Sequence, residues 1–289
     1  MFTFYLVYRV SLKVIKTIKE ITNWEFLQPV ILVPTMGALH DGHRKLIREG
    51  NAIKGNKGTL VVSIYLNPIQ FNDPKDLDKY PRTLDTDYET CEEEGVDLIF
   101  APSDVEMYPN PYSIGVSENN ISQELCGSKR PGHFDGVCTV VTKLFNLIKP
   151  KIAIFGKKDY QQLSIIRQLI IDLNYPIEII AIETQRDKNG LAMSSRNEQL
   201  NEIEKEKASV IYKALEAMVN SGESQSKHLI KLGKSIIEKE SQIIKIDYIE
   251  VVDRSNLKKL KVIDRPALAA IAVFIGKTRL IDNIEIDLE

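Results

Sequence analysis

Val30-Ile31-Leu32-Val33-Pro34-Thr35-Met36-Gly37-Ala38-Leu39-His40-Asp41-Gly42-His43 is the stretch that decides the fold. Its first four residues are apolar and mostly β-branched, which suits a short strand covered on both faces. Gly37 and Gly42 then let the backbone approach a ligand closely. Helical spacing follows through Arg44, Leu46, Ile47 and Ile53, so His43 is expected to open a helix. A strand, a glycine-bearing loop and a helix N-terminus together make an anion site. Free backbone N–H groups and the positive end of the helix dipole both face the loop. His40 and His43, two of the four histidines in the chain, would add imidazole donors to the same phosphates. Two other readings exist for the pair. Zinc could bind histidines three apart, but no neighbouring Cys or Glu completes a set. Surface histidines without a ligand are the other alternative.

Working outward, short apolar runs recur at Leu60–Leu66, Val96–Phe100, Ile152–Phe155 and Ile177–Ile182. Helical stripes lie between them. Val137, Val140, Val141, Leu144, Phe145 and Ile148 form one, which Pro150 stops; Leu163, Ile166, Leu169, Ile170 and Leu173 form another. Strands alternating with helices predict an α/β fold: a Rossmann-like open parallel sheet with helices on both faces. In such sheets ligands bind at the carboxyl ends of the strands. After about residue 184 the texture changes. Residues 201–239 are charged and helical, 246–252 alternate like a half-exposed strand, 267–275 read as a buried strand, and a last strand is expected near Ile284. These imply a smaller C-terminal α+β domain. The expected division is 1–183 and 184–289, with the polar stretch Gln185–Gly190 as the linker.

The bulk properties narrow the function. With 289 residues, two domains are expected. A net charge of −2 gives no global attraction to nucleic acid or anionic membrane, so any anion must be gathered by a local site. Three cysteines, none in CxxC spacing, fit a reducing, cytoplasmic setting better than a disulfide framework. No run reaches the ~18 apolar residues of a membrane helix. Residues 1–10 are apolar but lack a basic start and a small-residue cleavage site. They read as a short extra strand or a frayed terminus, not as a signal peptide.

Four further segments carry polar residues where strands end. Gly156-Lys157-Lys158-Asp159-Tyr160-Gln161-Gln162 follows a strand and opens a helix. Its lysines suit a second phosphate contact; Asp159 is either a helix cap or a contact to ribose or a magnesium-bound water. Met193-Ser194-Ser195-Arg196 lies at the domain junction and suits phosphate binding from a mobile lip, or simple helix capping. Asn67-Pro68-Ile69-Gln70-Phe71 offers neutral donors and acceptors, or a turn. Arg130-Pro131-Gly132-His133-Phe134 reads as a rigid loop.

Together these segments, with Tyr80-Pro81-Arg82-Thr83 and Gly190–Asn197, resemble the pantothenate synthetase family of pantoate–β-alanine ligases, in order and spacing. Pro34–His43 resembles that family's nucleotide motif, a relative of the His-Ile-Gly-His motif of nucleotidylyl transferases. The resemblance runs from about Val10 to Ile284. Lys157 departs from the Glu often found there, and the C-terminal part is similar chiefly at Thr278–Asn283. The resemblance implies that pantoate and ATP give pantoyl adenylate and pyrophosphate, after which the amine of β-alanine displaces AMP. It implies that His43 donates a proton to the phosphates with His40 beside it. Lys158, Ser194, Ser195 and Arg196 would hold phosphates as the second domain closes. Met36, Gly37, Ala38, Leu39, Asp41, Gly42, Gly156, Lys157, Asp159 and Met193 would line the nucleotide site, and Gln185 would touch adenine through its backbone. Gln70 and Gln162 would bind pantoate, with Gln70 also meeting β-alanine. Magnesium (Mg2+) would bridge the ATP phosphates with few protein ligands, Asp87 acting through bound water. A homodimer is expected on the same ground, and the partners are small molecules: pantoate, β-alanine and ATP.

Two rivals remain at the level of sequence. Another nucleotidylyl transferase would share the His-Gly-His device, but a phosphorylated acceptor would want cations where Gln70 and Gln162 stand. A non-catalytic nucleotide-binding protein would have no need of polar residues in five separated segments.

Overall fold

The structure is a computed structural model and describes residues 12–240 and 242–288. The reading of residues 1–10 lies outside them. Six strands form one parallel sheet: β1 (Lys13–Ile15), β2 (Val30–Thr35), β3 (Thr59–Ile64), β4 (Leu98–Phe100), β5 (Ile152–Gly156) and β6 (Glu178–Ile182). Their order is β1-β4-β3-β2-β5-β6. The helices between them are α1 (Ile18–Thr22), α2 (Asp41–Lys54), α3 (Pro74–Lys79), α4 (Leu84–Glu93), α5 (Asp104–Met107), α6 (His133–Ile148) and α7 (Tyr160–Asp172). One face of the sheet packs on α6 and α7 through Leu32, Val61, Phe100, Val137, Phe145 and Leu163. The other packs on α2 through Ile31, Val33, Leu60, Val62 and Ile47. Both faces are covered, which is why β2 and β3 read as continuous apolar runs and not as alternating ones.

The strand order reverses direction between β2 and β5, and ligands bind at such switch points. β2 pairs with β3 along its whole length, from Val30–Thr59 to Thr35–Ile64. With β5 it pairs only at Ile31–Ile152 and Leu32–Ala153. Pro34 has no N–H to extend that ladder. The two strands therefore separate at their carboxyl ends, and a cavity of about 230 Å³ opens there, lined by Pro34, Thr35, Ile154, Phe155 and Gly156 among others.

The remainder is α8 (Glu202–Ala208), α9 (Val210–Asn220), α10 (Ser226–Glu240) and an antiparallel sheet of β7 (Ile244–Asp253), β8 (Ala267–Ile275) and β9 (Thr278–Ile286). It has its own core, in which Ile211, Leu215 and Leu229 of the helices meet Val251, Ile271 and Val273 of the sheet. The charged stretch 201–239 is thus three helices, broken near Ser209 and by the turn at Ser221–Gln225. β1 was not foreseen: three residues carry too little periodicity to mark a strand. Among the described residues no helix is long and apolar enough to cross a membrane.

Candidate active site

The loop after β2 is held in an unusual backbone path. Gly37 and Ala38 both have positive φ, +78° and +50°. At Gly37 a Cβ would come within 2.9 Å of a carboxylate oxygen of Asp87, so glycine is required for close approach as well as for φ. Asp87, buried on α4, accepts the N–H groups of Ala38 (2.9 Å) and Leu39 (2.8 Å) and the Thr83 hydroxyl (3.3 Å). Burial pushes its pKa up, and the two backbone donors oppose the shift. The Asp87 carboxylate thereby shapes this loop from α4.

Helix α2 starts at Asp41, two residues earlier than expected. His40 is its N-cap, and Nδ1 of His40 accepts the N–H of Gly42 at 3.1 Å. Nδ1 of His43 accepts the N–H of His40 at 3.3 Å. The pair forms a reciprocal capping box in which imidazoles replace the usual hydroxyl and carboxylate. A neutral imidazole with Nδ1 accepting must carry its proton on Nε2. Burial, together with the Lys158 cation, lowers the His40 pKa to about 4. Burial, then His40 and Lys158, push His43 well below its ordinary value. Both rings are therefore neutral near pH 7, each with an Nε2–H to donate, and their centroids lie 4.1 Å apart.

His40, His43, Met36 and Gly42 line the 230 Å³ cavity. Gly37, Ala38, Leu39 and Asp41 do not; they shape the loop and helix start behind it. The cavity's apolar lining comes from Val137, Val140, Val141, Leu144, Ile154 and Phe155. One wall carries Gln70, whose amide orientation is fixed. Asn67 Nδ2 donates to Gln70 Oε1 at 2.9 Å, and Tyr108 Oη donates to Asn67 Oδ1 at 2.8 Å. Gln70 Nε2 is left as the donor on the cavity side, touching Met36 Sδ at 2.9 Å. Gly136 permits this packing: a Cβ there would meet the Gln70 backbone at 2.7 Å. Gln162 lines the cavity too. Among the described residues its side chain forms no hydrogen bond. Its neighbour Gln161 is structural, bonded to Gly127 N, Ile121 O and Glu124 O.

A larger cleft of about 830 Å³ lies between the sheet and the C-terminal part. Arg130, His133, Lys158, Asp159, Gln162, Ser194 and Arg196 line both spaces, so they stand where the two meet. Lys158 rests 3.8 Å from Asp159. Asp159 is the N-cap residue of α7 by position, as expected, but its side chain makes no cap bond. Arg196 pairs with Asp76 at 3.0 Å. Ser194 does cap: it accepts the N–H of Arg196 at 3.3 Å. Ser195 donates to the carbonyl of Ala38 at 3.0 Å and accepts from Tyr80 Oη at 3.4 Å, so its hydroxyl joins the 193–196 arm to the β2–α2 loop. Gln185 and Met193 line the smaller cavity. They bond to each other, Met193 N–H donating to the Gln185 carbonyl at 2.9 Å.

Lys157 requires correction. Its ammonium binds Glu285 at 2.7 Å and also Glu183, and it lines neither cavity. Two carboxylates have taken the charge that a phosphate would need.

Arg130 is the residue that sequence reasoning missed. Its guanidinium contacts His133 Nε2 (3.1 Å) and the Gln70 carbonyl (3.4 Å), and among the described residues no carboxylate pairs with it. Burial, with Arg196 adding its charge, lowers its pKa to about 10, so it remains a cation. Burial and the Arg130 cation lower His133 to about 4. A half-buried cation without a counter-ion, at the meeting of two cavities, awaits an anion. Among the described residues there is no cluster of three or more His, Cys, Asp or Glu fit to hold a metal.

The family model for pantoate-beta-alanine ligase matches residues 13–285. The chain is 49% identical over 260 residues to the pantothenate synthetase of Akkermansia muciniphila, covering 89% of this chain and 92% of that one. It is 44% identical over 284 residues to that of Clostridium botulinum, covering 96% and 100%. The crystal structure of pantothenate synthetase from Thermus thermophilus superposes with a TM-score of 0.90 at 36% identity, covering 96% of this chain and all of that one. The Francisella tularensis pantoate-beta-alanine ligase, complexed with Beta-gamma ATP and Beta-alanine, has a TM-score of 0.78 at 35% identity, covering 94% and 97%. Six parallel strands, a switch-point cavity capped by paired imidazoles, and these matches agree: the chain belongs to the pantoate–β-alanine ligase family.

Proposed function

We propose that the chain joins pantoate to β-alanine through a pantoyl-adenylate intermediate formed and consumed at the junction of the two cavities. As a member of its family it is an ATP-dependent ligase. The observation that carries the adenylate reading is the division of labour across the junction. The small cavity combines an apolar lining with amide donors from Gln70 and Gln162, which suits a branched hydroxy acid. His40 and His43 line the same cavity, and Lys158 and Arg196 stand where it meets the larger cleft, a set of donors and cations that suits phosphates.

In this reading a pantoate carboxylate oxygen attacks the α-phosphorus of ATP and pyrophosphate leaves. Negative charge gathers on phosphoryl oxygens, and fixed donors around them are the main catalytic device. His43 and His40 donate from Nε2, the α2 N-terminus adds its dipole, and Lys158, Ser194 and Arg196 follow the phosphates. Arg196 must leave Asp76 to do so, and Ser195 keeps the arm on the loop. The amine of β-alanine then attacks the acyl carbon, and AMP departs with the oxygen that came from pantoate. Arg130 receives the carboxylate of β-alanine. Magnesium enters as the salt of ATP, carried by the triphosphate. The division at 183/184 follows the end of β6 at Ile182, and the part beyond it closes over the cleft. The enzyme works in the cytoplasm, in keeping with its three free cysteines. It does so as a homodimer, for which a molar mass in solution is the check.

Label transfer tests the chemistry. With ¹⁸O in both carboxylate oxygens of pantoate, one ¹⁸O should appear in AMP and one remain in the amide. AMP without label would reject the adenylate.

A further inference from the structure

The middle of strand β9 carries a pair of residues that reach out of their own sheet in two directions. Asn283 Nδ2 donates to the carbonyls of Lys157 (3.1 Å) and Lys158 (2.8 Å). Asp282 grips Arg186, its Oδ1 accepting from Nη2 at 2.9 Å. Arg186 stands on the hairpin that carries Met193 into Ser194. The hairpin is closed by Asp187 N–H on Leu191 O (2.9 Å) and Met193 N–H on Gln185 O (2.9 Å). The Arg186 guanidinium also lies 3.8 Å from the centre of the Tyr212 ring, on α9. Both Asp282 and Asn283 are buried.

Two adjacent residues of the C-terminal sheet therefore fix the two backbone segments that bear phosphate-binding side chains. The Lys158 turn is held from outside itself: Gly156 pairs with Ile182, and the Lys157 ammonium is tied to Glu285 on β9. Gly156–Asp159 is a strand end and a single 3₁₀ turn, and Asp159 gives no cap bond. A turn that short has weak intrinsic preference for one path. Two donors from one amide, aimed at consecutive carbonyls, fix the backbone at Lys157 and Lys158 themselves.

We infer that Asn283 is a positioning residue for adenylation, which holds the Lys158 turn in register with the Ser194–Arg196 arm that Asp282 anchors through Arg186. Asn283 lines the larger cleft, but its amide nitrogen is spent on the two carbonyls, so it acts through Lys158. This rests on the proposed role of Lys158 as a phosphate contact.

The test is a double-mutant cycle on pantoate-dependent exchange of pyrophosphate into ATP, without β-alanine, using the full chain. Asn283→Ala should lower kcat/KM for ATP by roughly 10–100-fold, the loss expected when two buried acceptors lose their donors. The KM for pantoate should move by less than about 3-fold, a split that general loosening of the fold would not give. In a Lys158→Ala background, the same Asn283→Ala change should cost less than about 3-fold more. Asn283→Asp keeps the shape but points an acceptor at two carbonyls. It should show the same signature, and it carries the cycle if the alanine variant is insoluble. If Lys158→Ala lowers exchange and Asn283→Ala multiplies that loss in full, the positioning role is overturned while the site stands. If Lys158→Ala leaves exchange unchanged, the phosphate role of Lys158 falls and the inference falls with it.

Discussion

Nδ1 of His43 accepts the backbone N–H of His40 at 3.3 Å, while Nδ1 of His40 accepts the N–H of Gly42 at 3.1 Å. The helix N-terminus thereby sets the tautomer of both rings. The two rings that close the helix are the two proposed to face the phosphates, capping through Nδ1 and donating through Nε2. The two roles can be separated by substitution.

His40→Ala removes both the cap and the donor. It should cost about 0.5–2 kcal/mol of stability, the usual loss at an N-cap. Asn is itself a good cap, so His40→Asn should unfold near the wild-type temperature yet still lose exchange activity. Thermal melts read beside exchange rates check this. An asparagine variant with wild-type exchange would reduce His40 to a cap.

Acidification should destabilise the fold. His40 and His133 are held at about 4, and His43 well below its ordinary value of 6.5. Between about pH 6.5 and 4 the unfolded chain takes up protons that the folded chain refuses. Stability is therefore full above that window and falls as pH drops through it, by up to ~1.4 kcal/mol per pH unit for each such histidine. Melting temperatures from pH 7.5 to 5 measure the slope, and His133→Gln should flatten it. A midpoint that rises on acidification would contradict the assignment of neutral rings.

Pantoate recognition should depend on the orientation of the Gln70 amide. Asn67→Leu frees Gln70 Oε1 and leaves the amide able to turn. The KM for pantoate should rise by roughly 10-fold, the value of one or two hydrogen bonds, with the KM for ATP nearly unchanged. Gln162→Ala should act in the same direction. An unaltered pantoate dependence in both variants would move pantoate elsewhere.

Arg130→Ala should separate the two half-reactions. Exchange without β-alanine should fall by less than about 10-fold, while the KM for β-alanine rises by roughly 100-fold, as expected for a lost charge-assisted contact. Equal losses in both half-reactions would place Arg130 with the phosphates instead.

The Val30–His43 stretch was legible because everything it does is local: a short strand, two glycines and a helix start lie within 14 consecutive residues. The helix boundary was misplaced because imidazoles are rare caps, so His40 and His43 read as ligands alone. Lys157 and Lys158 look alike in sequence. What separates them is Glu285, 128 residues away, which takes one ammonium and leaves the other at the cavity. Arg130 read as part of a rigid loop, since the absence of a counter-ion is a property of packing and not of composition. Asp87 and Asn283 act on backbone groups far along the chain, and no spacing rule reports such bonds.

The most direct test of the account is pantoate-dependent exchange of labelled pyrophosphate into ATP, without β-alanine, in wild-type and His43→Ala enzyme. The wild type should exchange only when pantoate is present. The variant should be slower by roughly 10²–10³, the loss typical of one fixed donor to a transition-state oxyanion. Exchange that ignores pantoate, or that survives loss of the His43 imidazole, would contradict adenylation at this site.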